Sequence, residues 1–323
     1  MSGGSTGDGT LGATIRAELG QPVSAAVRAA AAEIRRRHGS SLVACLFYGS
    51  CLRDGQDEGR VIDFYAITED YGRFHGSWIS ATLNALLPPN VYYLETRSEG
   101  RVVRAKYAVV SLGHLIRGTS AAAFQPSLWG RLAQPCALVY ARDAGIEQQI
   151  AAALVRAVET MVGQTIDLMP GECSADQLWT RAFRESYCTE LRAERSTRPQ
   201  DLYGAYSDRY DSLATAVLPG SAVSASASPA GPPGAPIIRH QAGAAERRAA
   251  RLRWRLRRVA GKSTHVLRLL KAAYTFKDGL DYILWKIEKH SGIHTEATPW
   301  QRRHPLLAAP GLAWRLYRRG AFR

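Results

Sequence analysis

The spacing of apolar residues alternates between helical and extended periods over the first third of the chain. Alanine and valine recur at helical spacing among basic residues over positions 22–38, which predicts an amphipathic helix ending at Gly39. An uninterrupted apolar run over 42–48, stopped by Gly49, predicts a buried strand. Strands mixed with helices in the first 145 residues indicate an α/β (α+β) fold class with a mixed sheet. The further predicted strands and helices lie at 61–68, 90–96 and 101–111, and at about 76–87 and 112–124.

The second half of the chain is predicted to be helical. Strand signals vanish from 145 to 218, where 146–162 and 175–195 have helical periodicity. A low-complexity stretch of proline, glycine, serine and alanine follows and is typical of a flexible linker. Beyond it, 244–271 is predicted as an arginine-dense helix and 272–290 as a second helix with aromatic residues. The chain thus divides into a mixed-sheet domain, a helical domain, a linker and a basic helical segment, at 1–145, 146–218, 219–236 and 237–323.

The basic charge is concentrated at the carboxy-terminal end. Residues 237–323 hold 20 of the 42 Lys and Arg residues but 5 of the 28 Asp and Glu residues, so the rest of the chain is nearly neutral. Within this segment, Leu252, Leu256 and Val259 recur at helical spacing among arginines. A second apolar stripe with aromatic margins is predicted at Phe276, Leu280, Ile283, Leu284 and Ile287.

Such basic amphipathic helices are typical of segments that lie on an anionic bilayer. On that interpretation, deleting 237–323 would abolish vesicle binding and spare the fold. Arginine-rich helices also bind nucleic acid, which the aromatic margin makes less favoured here, and the stripe could instead pack on the rest of the protein. No run of about 18 apolar residues offers a membrane span. The five cysteines lack CxxC spacing and favour a reducing compartment. We therefore expect a cytoplasmic protein, peripheral on the inner face of a membrane.

One motif points to chemistry on a phosphate. The predicted strand 42–48 runs into Gly49-Ser50, where the missing Cβ lets the backbone approach a ligand and the hydroxyl can hold phosphate oxygens. Asp63 follows in the next apolar strand, where a buried carboxylate is costly unless it is paired or binds a cation. Together they predict a nucleotidyltransferase-type site, in which Mg²⁺ is held by the carboxylate and by substrate phosphates.

A second carboxylate is not evident beside the first. Sites of this type generally present two carboxylates as Asp-apolar-Asp/Glu, but the second position here is Tyr65. Glu95, at the end of a predicted strand, is the best candidate for the second metal ligand, with loop carboxylates as alternatives. Alternation along 101–111 places Lys106 beside Arg104 on one face, as a phosphate-binding pair or as the charged surface of an edge strand. Arg131 is a further candidate cation.

In their order along the chain, these motifs resemble the mitochondrial-type phosphatidate cytidylyltransferases, the CDP-diacylglycerol synthases of the translocator-maintenance family, and suggest a bacterial relative. The resemblance spans about 40–218. It departs from the family at Ala108, where a glycine is usual, at Glu190, where an aspartate is expected, and in a shorter loop after Ser50. The matching motifs are Phe47-Tyr48-Gly49-Ser50, Ile62-Asp63-Phe64, His75 in weakly similar context, Asn90-Val91-Tyr92-Tyr93, Lys106-Tyr107-Ala108-Val109-Val110-Ser111, Gly130-Arg131-Leu132-Ala133-Gln134-Pro135, Ser186-Tyr187 and Leu191-Arg192.

The resemblance implies a nucleotidyltransferase fold and a Mg²⁺-dependent transfer of CMP from CTP to phosphatidate or a related lipid phosphate. Two alternatives remain: an enzyme that nucleotidylates RNA or protein, and an inactive fold that binds membrane or RNA. The resemblance assigns Gly49 and Ser50 to the triphosphate, Asp63 to the metal, and Lys106 and Arg131 to phosphates. It implies that Glu190 and Arg192 close the cleft and, with Tyr107, contact the nucleotide. Glu95, proposed from the strand pattern, completes the predicted site as the second metal ligand.

Overall fold

A computed structural model describes residues 6–190, 198–218, 236–275 and 295–303, with a few single positions beyond 275. Its centre is a five-stranded sheet in the order β3-β4-β2-β1-β5. The parallel pair is β2 with β4, and the other neighbours are antiparallel. The strands are β1 (Leu42–Tyr48), β2 (Val61–Thr68), β3 (Asn90–Ser98), β4 (Arg101–Ser111) and β5 (Cys136–Ala141).

Helices cover both faces of the sheet and continue beyond it. In chain order they are α1 (Thr6–Leu19), α2 (Ala25–His38), α3 (Ser50–Asp54), α4 (Tyr71–His75), α5 (Trp78–Leu86), α6 (Leu112–Gly118), α7 (Trp129–Leu132), α8 (Ala144–Thr165), α9 (Ala175–Tyr187), α10 (Arg198–Gly204), α11 (Ser207–Val217), α12 (Ala244–Thr275) and α13 (Pro299–Arg303).

The two sheet faces bury separate apolar clusters. On one face, Ile34 of α2 packs with Phe47 and Phe64. On the other face, Tyr65 of β2 belongs to the larger cluster, which includes α1, α8, α9, α11 and Trp254 of α12. Because side chains alternate along a strand, Asp63 projects on the same side as Tyr65. The carboxylate therefore faces the helical half of the molecule.

The two short strands outside the main sheet revise the predicted domain division. Strand β6 (Glu172–Ser174) pairs with β7 (Ile237–Arg239), so the prediction that strands are absent from 145–218 was wrong. Helix α12 then packs on the molecule, and its Trp254 is 1% exposed against Trp129 at a ring-centroid distance of 5.8 Å. Deleting 237–323 would remove a strand and a core tryptophan, so the fold would not be spared.

Most local predictions are confirmed. Helix α2 ends at His38 with Gly39 as its cap, the four predicted strands are present, and the arginine-dense helix runs from Ala244 to Thr275. The mixed α/β fold class is confirmed. Helix α1 and strand β5 were not predicted. The predicted helix 272–290 lies outside the described residues after Thr275, apart from Leu284, which is buried. Among the described helices, none is both long and apolar enough to cross a bilayer.

Candidate functional site

A cleft of about 500 Å³ opens on the sheet face that carries Asp63. Its floor is formed by β2 and β4, one end by the turn between β1 and α3, and its walls by α7, the end of α9 and α12. Of the residues proposed from the sequence, the cleft brings together Gly49, Ser50, Asp63, Lys106, Arg131 and Glu190.

The turn after β1 requires glycine for two reasons. Gly49 has φ +92° and ψ −157°, a backbone conformation that is essentially restricted to glycine. A Cβ at this position would lie 3.1 Å from Oδ2 of Asp63, so the backbone passes directly against the carboxylate. Antiparallel pairing of Tyr48 with Asp63 fixes this approach. The turn thus positions Ser50, at the start of α3, next to Asp63.

Asp63 forms an ion pair in the cleft with Lys106. The parallel register of β2 and β4 places the two residues side by side, and Nζ of Lys106 lies 3.0 Å from Oδ1 of Asp63. Both side chains keep partial exposure, 17% for Asp63 and 37% for Lys106. An exposed pair of this kind is weak enough to exchange partners when a ligand binds. The lysine is therefore available to a phosphate beside the carboxylate.

A second ion pair joins the sheet domain to the helical domain. Nη2 of Arg131 lies 2.9 and 2.7 Å from the two carboxylate oxygens of Glu190. Burial opposes the charge of Arg131, but Glu190, Tyr65 and Tyr48 raise its pKa well above the ordinary value. Burial also raises the pKa of Tyr48, whose ring stacks on Tyr65 at 4.7 Å. The guanidinium is thus held permanently charged at the cleft wall.

Two residues proposed from the sequence, Tyr107 and Glu95, lie away from this cleft. Tyr107 is a correction: it is 2% exposed on the opposite sheet face, where its hydroxyl bonds Nε2 of His38 at 3.0 Å. Glu95 is not beside Asp63, because β4 lies between their strands. It accepts from Tyr93 Oη at 2.6 Å and from Arg104 Nε at 3.0 Å. Arg192 lies outside the described residues.

Helix α12 supplies cleft residues that were not proposed from the sequence: His265, Arg268 and Lys271. Their spacing of three residues keeps them on one helix face. Gly261 allows the close approach of α12, since a Cβ there would lie 2.5 Å from the carbonyl oxygen of Thr189. In the sequence, only their three-residue spacing could have indicated that these side chains share a site. The many arginines of α12 make that spacing hard to recognise.

The cleft is cationic. Its lining includes five Lys and Arg side chains and two carboxylates, those of Asp63 and Glu190. Burial lowers the pKa of His114 to about 4, so this cleft histidine is neutral near pH 7. No cluster of three His, Cys, Asp or Glu side chains suited to a metal occurs within the described residues. The donor beside the Gly49 turn is the carboxylate of Asp63, and a Mg²⁺ ion there would have to take most of its ligands from a bound triphosphate.

Comparison with protein-family models and with curated protein sequences gave no match to this chain. The family resemblance described from the motifs accordingly stays a prediction. The function has to be argued from the cleft itself.

Proposed function

We propose that this chain is a nucleotidyltransferase that transfers CMP from CTP to the phosphate of phosphatidate or a related lipid. The main support is the contact between the Gly49 turn and Asp63, at the end of a cleft with an excess of cations. A backbone turn that admits a phosphate, next to one carboxylate, suits a nucleotide whose phosphates complete the metal coordination. The choice of CTP and of a lipid acceptor rests on the motif resemblance.

In the proposed reaction, the Ser50 hydroxyl and adjacent backbone hold triphosphate oxygens. Lys106, which reaches Asp63 at 3.0 Å, would turn toward a phosphate as the nucleotide binds. Asp63 would hold Mg²⁺, which when bound would neutralise charge on the triphosphate. An acceptor phosphate oxygen then bonds to the α-phosphorus, the bond from that phosphorus to the β-bridging oxygen breaks, and pyrophosphate leaves with the electron pair. Arg131 stabilises negative charge near the reacting phosphates.

The outer face of α12 supports a peripheral association with an anionic membrane. Five apolar side chains, those of Leu252, Leu256, Val259, Val266 and Leu267, are between 45% and 69% exposed. Their spacing places them along one helix face. The exposed basic side chains Arg248, Arg251, Arg255 and Lys262 border this stripe. An exposed apolar stripe with basic margins matches the chemistry of an anionic bilayer surface.

One observation favours a second candidate, an inactive nucleotidyltransferase fold that binds a nucleotide or a membrane. Within the described residues, Asp63 is the one carboxylate of the sheet that lines the cleft, and Lys106 already neutralises it. Such a site could bind a triphosphate without transferring CMP.

The central experiment supplies α-labelled CTP, Mg²⁺ and phosphatidate vesicles to the full chain. We expect labelled CDP-diacylglycerol, and a loss of more than about 100-fold in Asp63→Asn, because a direct metal ligand should matter at least as much as an outer-shell group. Glu58→Gln is the matched control, since it removes a carboxylate charge at an exposed position in the β1–β2 connection, five residues before Asp63. CTP binding without turnover of any lipid phosphate would support the inactive fold instead. Equal activity in Asp63→Asn would remove Asp63 from the mechanism.

Membrane association needs a test that spares the fold. The triple variant Leu252→Ser, Leu256→Ser, Val259→Ser changes exposed side chains alone. We expect it to lose cosedimentation with vesicles rich in anionic lipid. Val102→Ser, which alters an exposed valine on β4, should bind as the unmodified chain does. Undiminished sedimentation of the triple variant would refute a role for this stripe.

A further inference from the structure

Arg268 is a cationic side chain of the cleft whose charge is not matched by an ion pair within the described residues. Within the described residues its guanidinium forms no ion pair, and its buried Nε has no hydrogen-bond partner. Both cleft carboxylates already have cations, Asp63 with Lys106 and Glu190 with Arg131. Burial lowers the pKa of Arg268, Glu190 raises it and Arg131 lowers it, so the side chain lies near the second ion pair. A partly buried cation whose nearest carboxylate is already paired with another arginine is costly, and this cost suggests a missing anionic ligand.

The lining of the cleft changes from charged to mainly apolar along β4. At one end, Lys106 adjoins Asp63 and the Gly49 turn. Further along the same face, Ala108 and Val110 form the floor. At about 3.3 Å per residue, the floor extends roughly 13 Å from Lys106 to Val110. Val91, Pro88, Pro89 and Leu128 give this far half a mainly apolar lining, to which His114 and Lys271 also contribute.

Arg268 lines the same cleft from α12, three residues before Lys271. It influences Tyr65 and Glu190 on the nucleotide side, and His114 and Lys271 on the apolar side. Lys271 holds this end of α12 in place, because its Nζ donates to the carbonyl oxygens of Leu87 and Pro89, the latter at 2.8 Å. The position of Arg268 is therefore set by backbone contacts at the edge of the sheet.

We propose that Arg268 binds the phosphate of the acceptor, and that the apolar half of the cleft takes the acceptor's adjoining hydrocarbon. A guanidinium presents a planar fork of donors to a phosphate, and the floor of Ala108 and Val110 offers nothing polar to its other end. The ligand class is thus a phosphate monoester whose remaining part is largely hydrocarbon. This inference rests on the proposed function for the identity of the reaction, but the binding site itself can be tested without turnover.

The experiment compares Arg268→Met with Arg36→Met, which removes a charge from the exposed surface of α2, away from the cleft. Calorimetry with dihexanoyl phosphatidate below its micelle concentration measures acceptor binding without a membrane. A parallel titration with CTP and Mg²⁺ measures the nucleotide end. We expect Arg268→Met to weaken phosphatidate binding at least tenfold and to change CTP binding less than twofold. Arg36→Met should change neither.

Thermal unfolding separates binding from structure. Methionine fills the space of a buried arginine stem without an unpaired charge, so we expect Arg268→Met to unfold at the same temperature as the unmodified chain or a higher one. A lower unfolding temperature, or equal losses for CTP and phosphatidate, would overturn the proposal. So would a wild-type chain that does not bind dihexanoyl phosphatidate. If wild type binds both ligands but shows no turnover, the proposed reaction fails and the acceptor site stands.

Discussion

Gly49→Ala tests the geometry at the nucleotide end of the cleft. Gly49 has φ +92° and ψ −157°, a region that costs a residue with a Cβ roughly 1–3 kcal/mol. The new methyl would also lie 3.1 Å from Oδ2 and 3.4 Å from Cβ of Asp63. Contacts of that length force a neighbour to move by a few tenths of an ångström. The variant should therefore lose stability and also displace the carboxylate.

Gly55→Ala is the matched control for Gly49→Ala. Gly55 also has a positive φ, +64°, but a Cβ there meets nothing within 4 Å. The left-handed conformation alone costs about 1–2 kcal/mol, so both variants should unfold at lower urea concentrations. Gly49→Ala alone should lose affinity for CTP with Mg²⁺ in calorimetry, by about tenfold, because misplacing a ligand-holding group is costly. Gly49→Ala with unchanged CTP affinity would refute the assignment of this turn to the nucleotide.

Three further predictions concern α12 and the cleft wall. Trp254→Ala should lower the free energy of unfolding by about 3–5 kcal/mol, because Trp254 is buried and donates to the carbonyl oxygen of Gln164 at 2.9 Å. Urea denaturation measures this loss, and a smaller one would contradict the packing of α12. Burial and Arg268 lower the pKa of Lys271 to about 8, so Lys271 is charged below pH 8 and loses its charge above it. Calorimetric affinity for phosphatidate should then fall as the pH rises through 8, and Lys271→Arg should flatten this fall. A thiol reagent should modify one cysteine of the folded chain, the exposed Cys188, and Cys188→Ser should abolish this reaction.

The elements that could be predicted from the sequence are those with a local signal. Strand β4 alternates between buried and partly exposed side chains over residues 103–107, and its predicted bounds, Arg101–Ser111, match the structure. That alternation already placed Tyr107 on the face opposite Lys106; the family resemblance, not the pattern, assigned Tyr107 to the nucleotide. The sequence also predicted that the turn at Gly49 lies beside Asp63. The two residues belong to consecutive strands, and strands that are consecutive in the chain are often neighbours in the sheet.

The missed features depend on partners far along the chain. Strands β6 and β7 have three residues each and pair across more than sixty positions, so neither carries a periodic pattern of its own. Arg257 is 2% exposed because the carbonyl oxygen of Phe124 and the side chain of Gln164 receive its donors. Nothing in an arginine-dense helix distinguishes such a residue from its exposed neighbours. The α12 wall of the cleft was missed for the same reason.

The pairing of β6 with β7 has a consequence for cooperativity. One apolar cluster contains Leu11 of α1, Tyr65 of β2, Val158 of α8 and Trp254 of α12. Segments that share one core lose their packing together, so the mixed-sheet, helical and basic segments expected from the sequence should unfold in a single step rather than in turn. A chain cut between 219 and 235 should likewise remain one particle, its two fragments held by the strand pair and by the helix that closes the cleft.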